Sequence, residues 1–232
     1  MNCLKVSFLF FGFYSMLEAQ STTGEAFLRK AHEHFYQAPC KIYSFSQKNE
    51  HYRNDSMVKT SVWHEVIEFP DKFRIHFGEI TEGNYVLFKN DSVYNYRKSK
   101  FFKSRADSNS LLLILGGMFY RSFEETLLRL KSAGYNTGIL SEQSWEGREV
   151  VVIGAAPGNL SSNQIWFDKT SMKVIRIIEK LNANDSMDMR FEAYQNWCKG
   201  HVETKVAFYR NGKLEQVEQY YDLKQLDKFP DF

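Results

Sequence analysis

Two stretches of alternating sequence decide the fold: Thr60 to Phe69 reads TSVWHEVIEF, and Lys72 to Gly78 reads KFRIHFG. Between them stands Pro70-Asp71, a residue pair that favours a turn. Successive side chains of a strand point to opposite faces of a sheet, and both stretches alternate with that period of two. They are therefore predicted to form an antiparallel β-hairpin.

One face of this hairpin is apolar and largely aromatic. The residues on that face are Trp63, Ile67 and Phe69 in the first strand, and Phe73, Ile75 and Phe77 in the second. A later stretch repeats the pattern, because Met189 and Phe191 alternate with Asp188, Arg190 and Glu192. A sheet with so wide an apolar face must cover it with other elements.

Strand-like segments continue on both sides of the hairpin. They are separated by turn signals at roughly 8 to 12 residue intervals, which is typical of a sandwich or barrel. They cover residues 43–47, 84–89, 93–98, 135–144, 148–153, 163–168, 173–180, 187–195, 203–209 and 213–221. No linker or low-complexity tract interrupts them, so residues 20–232 are predicted to form a single domain.

Two segments with helical periodicity are available to cover the apolar face. Residues 22–37 place Phe27, Leu28 and Ala31 at helical spacing, and Pro39 ends the run. Residues 108–134 predict two short helices joined at Gly116-Gly117. The fold class is therefore mainly β, with helices that cover the concave face of a curved antiparallel sheet.

The aromatic content leaves two interpretations of that covered face. Phe, Tyr and Trp make up 16% of the chain, with 20 Phe and 13 Tyr. If the helices fill the space completely, the aromatic face is a solid core. If the cover is partial or hinged, the face lines a pocket for apolar ligands.

The N-terminus has the order of a secretory signal. Lys5 precedes an apolar run from Val6 to Leu17, and Ala19 stands at the expected cut. The run is shorter than the roughly 20 apolar residues that cross a membrane. Residues 1–19 are therefore predicted to be a cleaved signal peptide, and the rest of the chain to work outside the cytoplasm without an anchor.

Cysteine content, net charge and a repeated tripeptide bear on the compartment, the partners and the modification of this protein. Cys40 and Cys198 either close a disulfide in an oxidising compartment or remain as small buried apolar groups. The net charge of +2 is too small to indicate a nucleic-acid partner. Asn-Asp-Ser occurs at residues 54, 90 and 184, where it serves as hairpin turns or as glycosylation acceptors.

Motifs for catalysis or metal binding are weak in this sequence. His32 and His34 are two residues apart on a predicted helix and so do not face each other. His64 and His76 lie on neighbouring predicted strands, but no third ligand accompanies them. Neither a nucleophile elbow nor a phosphate loop is present. We expect a protein that is not an enzyme and has no metal or cofactor.

Several segments together resemble the LolA-type lipoprotein carriers of Gram-negative bacteria and their lipoprotein-sorting relatives. They are YSFSQK (43–48), EFPDKFRIHF (68–77), YVLFKNDSVYNY (85–96) and IWFDKTSMKVIRI (165–177). The resemblance implies an incomplete, strongly curved β-barrel lined by apolar side chains and lidded by helices. It also implies a soluble periplasmic carrier that takes up acyl chains and passes its cargo towards the outer membrane.

On this interpretation, we expect the ligand-binding residues to lie on the aromatic face and in the helical lid. They are Trp63, Ile67, Phe69, Phe73, Ile75, Phe77, Leu87, Leu112, Leu115, Met118, Met189 and Phe191. Gly116 and Gly117 are expected to act as a hinge of the lid, because glycine permits the motion. The implied partners are a lipoprotein or lipid-like ligand, an inner-membrane releasing complex and an outer-membrane acceptor.

One position departs from the family pattern. Well-known carriers have an Arg before the Pro of the strand-ending motif, where it helps to hold the lid closed, whereas this chain has Phe69 before Pro70. The family's lid mechanism therefore does not carry over. An alternative function for the same scaffold is an envelope regulatory or stress-sensing domain that binds a partner protein.

Overall fold

The computed structural model describes residues 23–231, so the predicted signal peptide lies outside the described residues. Three α-helices lie within this range: α1 (Gly24–Phe35), α2 (Ser110–Leu115) and α3 (Phe123–Ser132). The first and third helices begin at hydroxyl caps, since Thr23 accepts from the Ala26 amide and Ser122 from the Glu125 amide. Two 3₁₀ turns cover Ile80–Glu82 and Gly117–Tyr120.

Most of the remaining chain is extended. The strands are β1 (Ile42–Arg53), β2 (Ser56–Glu68), β3 (Lys72–Phe77), β4 (Tyr85–Lys89), β5 (Ser92–Arg97), β6 (Lys100–Ala106), β7 (Leu140–Trp145), β8 (Arg148–Ile153), β9 (Gln164–Asp168), β10 (Val174–Asn182), β11 (Asp185–Glu192), β12 (Gln195–Trp197), β13 (Gly200–Val202), β14 (Lys205–Arg210) and β15 (Lys213–Gln225).

Thirteen of the described strands form one curved antiparallel sheet, and β12 and β13 form a separate ribbon. The order across the large sheet is β6-β5-β4-β3-β2-β1-β15-β14-β11-β10-β9-β8-β7. The first and last strands of the chain meet at its centre, where β1 pairs with β15. Because β6 and β7 remain unpaired edges, the sheet does not close into a barrel, which confirms the predicted fold class.

The hairpin turns explain two of the Asn-Asp-Ser repeats. Asn54 and Asp55 have φ values of 50° and 60°, and Asn90 and Asp91 have φ values of 52° and 53°. Two successive residues with positive φ make the turn that suits the twist of a hairpin, and Asn and Asp tolerate that conformation. Modification of these sites stays a prediction.

Three strands were not predicted from the sequence. Every residue of β6 is exposed, so no buried face imposes an alternation there. The strands β12 and β13 have only three residues each, which is too short for a pattern. Tyr135, predicted to begin a strand, instead lies before β7 with its ring buried and its hydroxyl donating to Glu179 at 2.6 Å.

The main hydrophobic core lies between the helices and the β8–β11 side of the sheet. Leu28 of α1, Leu130 of α3 and Phe167 of β9 are fully buried in it. A disulfide joins Cys40, just before β1, to Cys198 in the turn of the β12–β13 ribbon, with Cα atoms 5.4 Å apart. The disulfide therefore fixes the ribbon to the start of β1, next to the middle strand of the sheet.

Candidate functional site

A cavity of about 280 Å³ lies between the sheet and α2, on the β1–β3 side of the main core. Its walls come from alternate residues of neighbouring strands, as the period of two requires. On β1 these residues are Tyr43, Phe45 and Gln47. The other lining residues are Trp63, Glu65, Ile67, Phe69, Phe73, Ile75, Phe88, Asn109, Leu111, Leu112, Leu115, Phe191, Val202, Glu203, Val206, Phe208, Glu218 and Tyr220.

Strand pairing places these side chains on one face. Tyr43 lies opposite Ile67, and Ile67 in turn lies opposite Phe73. The intervening residues turn to the convex side of the sheet, where Val62 is 40% exposed. The helices therefore cover only part of the concave face completely. On the β8–β11 side the face is a solid core, and on the β1–β3 side it lines a cavity.

The short helix α2 forms the roof of the cavity. Leu111, Leu112 and Leu115 line it from above. Asn109 begins the helix in a left-handed conformation, and its side chain accepts a hydrogen bond of 2.9 Å from the Leu112 amide. The cap fixes the direction in which α2 leaves β6, and so it holds the leucines over the sheet.

The structure brings eight of the predicted ligand-binding residues into the cavity wall: Trp63, Ile67, Phe69, Phe73, Ile75, Leu112, Leu115 and Phe191. Phe77 is 36% exposed at the end of β3, where its ring meets Trp63 edge-on. Leu87 faces away from the cavity, because it pairs with Arg74 and not with Phe73. Met118 and Met189 are buried in the main core, outside the cavity.

Three carboxyl groups line this otherwise apolar cavity, and none of them was predicted. Glu65 projects from β2 between Trp63 and Ile67, Glu218 from β15, and Glu203 from the loop before β14. In the sequence, the only indication that Glu65 faces the cavity is its position, two residues from Trp63 and two from Ile67 on the same face of β2. Nothing local connects it to carboxyls about 140 and 150 residues later in the chain.

Glu218 is held by neutral donors. The Tyr220 hydroxyl donates to one carboxyl oxygen at 2.6 Å, and the Gln216 amide donates to the other at 2.7 Å. The Gln216 amide also reaches Asn49 at 3.0 Å, and Gln47 donates to the same Asn49 oxygen at 2.5 Å. The carboxyl is thus fixed in place without a cation beside it.

Burial dominates the electrostatics of these groups. It raises the pKa of Glu218 to about 7, although its hydrogen bonds act in the opposite direction. Burial also raises the pKa of Glu203 to about 7; this residue is half-buried and keeps contact with the cavity space. The pKa of Glu65 is raised well above its usual range by burial and by Glu218. The cavity therefore favours neutral carboxyls unless a partner enters.

No protein-family model and no curated protein sequence matches the chain. Solved structures do resemble it. A LolA superfamily protein from Nitrosomonas europaea is 13% identical, with 89% of this chain and 94% of that chain covered and a TM-score of 0.57. A domain from Vibrio parahaemolyticus named for outer membrane lipoprotein sorting is 12% identical, with coverages of 90% and 94% and a TM-score of 0.59. The chain has a LolA-like fold.

A third similar structure supports the same fold without adding a function. It is a DUF1329 family protein from Desulfovibrio piger, 12% identical, with 90% of this chain and 94% of that chain covered and a TM-score of 0.56. At such low identity, the likeness establishes the LolA-like fold alone. Among residues 23–231, no helix is long and apolar enough to cross a membrane.

The lid of this LolA-like fold consists of α2, the 3₁₀ turn Gly117–Tyr120 and α3. Phe69, which directly follows β2, packs against this lid through apolar contacts. The ring is 3% exposed and lies parallel to the ring of Tyr120, with centroids 5.9 Å apart. Tyr120 in turn donates a hydrogen bond of 2.6 Å to the carbonyl of Pro39. An aromatic stack therefore occupies the position where an arginine was expected from the family resemblance.

An arginine does connect the lid to the sheet, but it belongs to the lid and not to the strand end. Arg121, at the start of α3, pairs with Asp71 at 3.3 Å and with Glu125. Its side chain is 8% exposed, so water screens this contact less than an ordinary surface pair. Eight residues later, in the last turn of α3, Arg129 pairs with Asp91 in the β4–β5 turn at 2.7 Å. Both arginines fasten the lid to hairpin turns of the sheet.

Gly116 and Gly117 are required here for space. A Cβ atom on Gly116 would lie 2.0 Å from the Phe69 ring, and one on Gly117 would lie 2.6 Å from the Pro70 carbonyl oxygen. Gly116 has a φ of −174°, which any residue adopts. The glycines thus let the lid pack closely on the strand end, and hinge motion at them stays a prediction.

Proposed function

We propose that this protein is an exported carrier that binds an acyl chain of a lipoprotein, or another lipid-like ligand, in its cavity and delivers it towards the outer membrane. The observation that carries the proposal is the mainly apolar cavity under α2. A protein that only needed a scaffold would gain stability by filling that space, because cavities cost free energy. The carrier performs no covalent chemistry.

The size of the cavity sets the size of the cargo. At about 280 Å³ it lies near the lower end of the roughly 300–1,000 Å³ range of small-molecule pockets. A cavity of this size suits a single acyl chain. A cargo with two or three chains requires the lid to move outwards.

The gain from binding such a chain is large enough to need a release mechanism. Each buried methylene contributes about 0.8 kcal/mol, so a chain of twelve carbons contributes on the order of 10 kcal/mol before the costs of ordering it. Release then depends on lid opening or on an acceptor with a better site. An inner-membrane releasing complex and an outer-membrane acceptor are the partners that this cycle requires, and the periplasm is its place.

The test compares two tryptophan variants for binding of a neutral fluorescent lipid probe. Ile75→Trp extends a half-buried residue of the cavity wall into the free space and should lower affinity at least ten-fold. Val62→Trp places the same side chain on the exposed face of β2 and should leave affinity unchanged. Both variants must unfold cooperatively at similar denaturant concentrations.

Native cargo provides the second test. Protein purified from its own envelope should carry acyl-containing molecules that mass spectrometry detects after extraction. An empty preparation that also ignores the lipid probe would contradict the carrier. If that preparation kept one stoichiometric protein partner, the regulatory alternative would replace it.

A further inference from the structure

The polar groups of the cavity carry an unusual charge balance. The titratable residues that line it are three carboxyls, Glu65, Glu203 and Glu218, and two phenols, Tyr43 and Tyr220. None of the described lining residues is Lys, Arg or His. Any charge that develops on the lining near neutral pH is therefore negative.

Glu65 is the most unusual of these residues. Its side chain is 4% exposed and lines the cavity, yet it makes no hydrogen bond or ion pair with any residue in the described range. Its electrostatic neighbour is Glu218, which repels its ionised form. A buried polar group without a partner costs free energy, so this carboxyl is a site for a group that the protein itself does not supply.

The three carboxyls line one cavity although the chain separates them. Glu65 lies opposite Phe45 and Glu218 lies opposite Asn49 on the intervening strand β1, so the backbones that carry the two carboxyls are about 16 Å apart. The sheet curves towards this side, which brings the side-chain ends closer together than their backbones. Glu203 reaches the same space, since it also interacts electrostatically with Glu218. A small cationic group beside Glu65 would therefore be attracted by all three carboxyls.

We propose that the cavity selects amphiphiles whose head carries a primary ammonium group, and that Glu65 receives that group while Glu203 and Glu218 add negative charge around it. The proposal rests on the carrier function above and names the chemistry of its ligand. An ammonium has three donors and one positive charge, so it can donate to the unpaired Glu65 and is attracted by the two other carboxyls. A fatty-acid carboxylate would meet only like charge.

The rest of the cavity accommodates the alkyl chain. Ile75 lies directly opposite Glu65, and Phe73 and Phe88 continue the apolar wall two residues further along β3 and β4, with Leu111 and Leu112 above. Head and chain therefore have separate places in one cavity. The carboxyls are not a metal site, since no described group of three acidic, His or Cys residues is arranged to hold a metal ion.

The cavity predicts that ammonium binding tightens with rising pH. The pKa of both Glu203 and Glu218 is about 7, so their carboxylates form between pH 6 and pH 8. Besides the five titratable lining residues, His201 lies behind Glu203 in a small adjoining void. The pKa of His201 is lowered to about 4 by burial, so it stays neutral over this range. Alkyl ammonium groups also keep their charge, which leaves the carboxyls as the groups that change.

Three probes with the same twelve-carbon chain test the proposal on the full-length mature protein: dodecylammonium, dodecanol and dodecanoate. At pH 8 we expect dodecylammonium to bind about ten-fold or more tightly than dodecanol, and dodecanoate to bind most weakly. At pH 5 the preference for the ammonium should shrink. Calorimetry or displacement of a neutral fluorescent lipid gives each dissociation constant.

Substitutions assign the preference to the carboxyls. Glu65→Gln should remove most of the ammonium preference and leave dodecanol binding unchanged. Glu149→Gln, an exposed carboxyl on β8, is the matched control and should change neither. If Glu65→Gln does not fold, the pH dependence of the three probes on the unmodified protein still decides the proposal.

The ammonium group has two natural sources, and paired ligands distinguish them. An acylated peptide with a free N-terminus is compared with its N-acetylated form, and lysophosphatidylethanolamine with lysophosphatidylglycerol. A preference for the ammonium member of either pair supports the proposal and names the source. Equal binding within both pairs, or of dodecanol and dodecylammonium at pH 8, overturns it while the carrier function stands. If no probe binds at all, the carrier function itself fails.

Discussion

Substitution of Gly116 by alanine tests directly how the lid is held on the sheet. The added Cβ would lie 2.0 Å from Cζ of Phe69 and 2.5 Å from two further ring carbons. Carbon atoms in contact are about 3.5–4.0 Å apart, so the ring must retreat by about 1.5–2 Å. Phe69 is 3% exposed and lies between Tyr43 and Tyr120, which leaves the ring no free direction.

The expected cost follows from overpacking and not from backbone strain. The φ of Gly116 is −174°, which alanine adopts without penalty. Forcing an extra methyl into a packed contact costs about 1–3 kcal/mol of unfolding free energy. Phe69→Ala alone should cost about 3–5 kcal/mol, as other buried phenylalanine truncations do.

The double variant makes the argument quantitative. In Gly116→Ala with Phe69→Ala, the new methyl points into the space that the ring vacated, so its overpacking cost should vanish. The pair should therefore be no less stable than Phe69→Ala alone, with an interaction energy of about 1–3 kcal/mol in its favour. Urea unfolding followed by circular dichroism measures all four proteins of the cycle.

Gly138→Ala is the control, because its Cβ would meet only the Asn136 side-chain oxygen at 3.4 Å. Its unfolding free energy should change by less than about 1 kcal/mol. If Gly116→Ala matched this control, or if the costs of the two lid substitutions simply added, Phe69 would not pack against the lid as the structure shows.

Three further perturbations follow from the same contacts. Reduction of the disulfide, or Cys198→Ala, should lower the free energy of unfolding by about 2–5 kcal/mol, because the bond closes a loop spanning 158 residues; equal urea midpoints with and without reductant would contradict this. In the folded protein the pKa of Glu203 and of Glu218 is about 7, whereas the ordinary pKa of Glu is 4.5. The folded state therefore binds more protons than the unfolded state between these two pH values, and the free energy of unfolding should fall as the pH rises through them. The expected loss is on the order of 2–3 kcal/mol for the buried Glu218. Glu218→Gln should flatten that decline, and urea midpoints from pH 4 to pH 8 measure it; a slope unchanged by the substitution would refute the assignment. Arg121→Gln should cost about 1–2 kcal/mol, since its partner carboxyls are partly exposed, and should speed dissociation of a bound lipid probe in stopped-flow measurements; an unchanged off-rate would show that the arginine does not restrain the lid.

The alternation of apolar and polar residues predicted most strands of the sheet, because one face of those strands is buried and must be apolar. On β2 and β3, residues of one parity face the cavity, and those of the other face the convex side. Where burial is absent, as along the fully exposed β6, the strand left no pattern to follow. Phe77 and Leu87 were also predicted to line the cavity, but a strand end puts Phe77 outside it and a difference of parity puts Leu87 outside it.

The site itself was only partly predictable. Two leucines of α2 were placed over the sheet from their position in a short apolar helix, and both line the cavity. Glu65 was not predicted as a site residue, because one acidic residue on an otherwise apolar strand face does not by itself indicate a binding site. Its meaning depends on Glu203 and Glu218, which belong to the far end of the chain.

The sequence by itself determined the strands with a buried face, the turns at Asn54-Asp55 and Asn90-Asp91, and an aromatic face that helices must cover, because these depend on local backbone preference and on the period of two. Tertiary structure alone decided that the cover is incomplete over β1–β3, since that depends on how far the sheet curves and how closely Gly116 meets Phe69. It also decided the acidic character of the cavity. The pairing of β1 with β15 joins the two ends of the chain, and only that long-range contact brings Glu218 to Glu65.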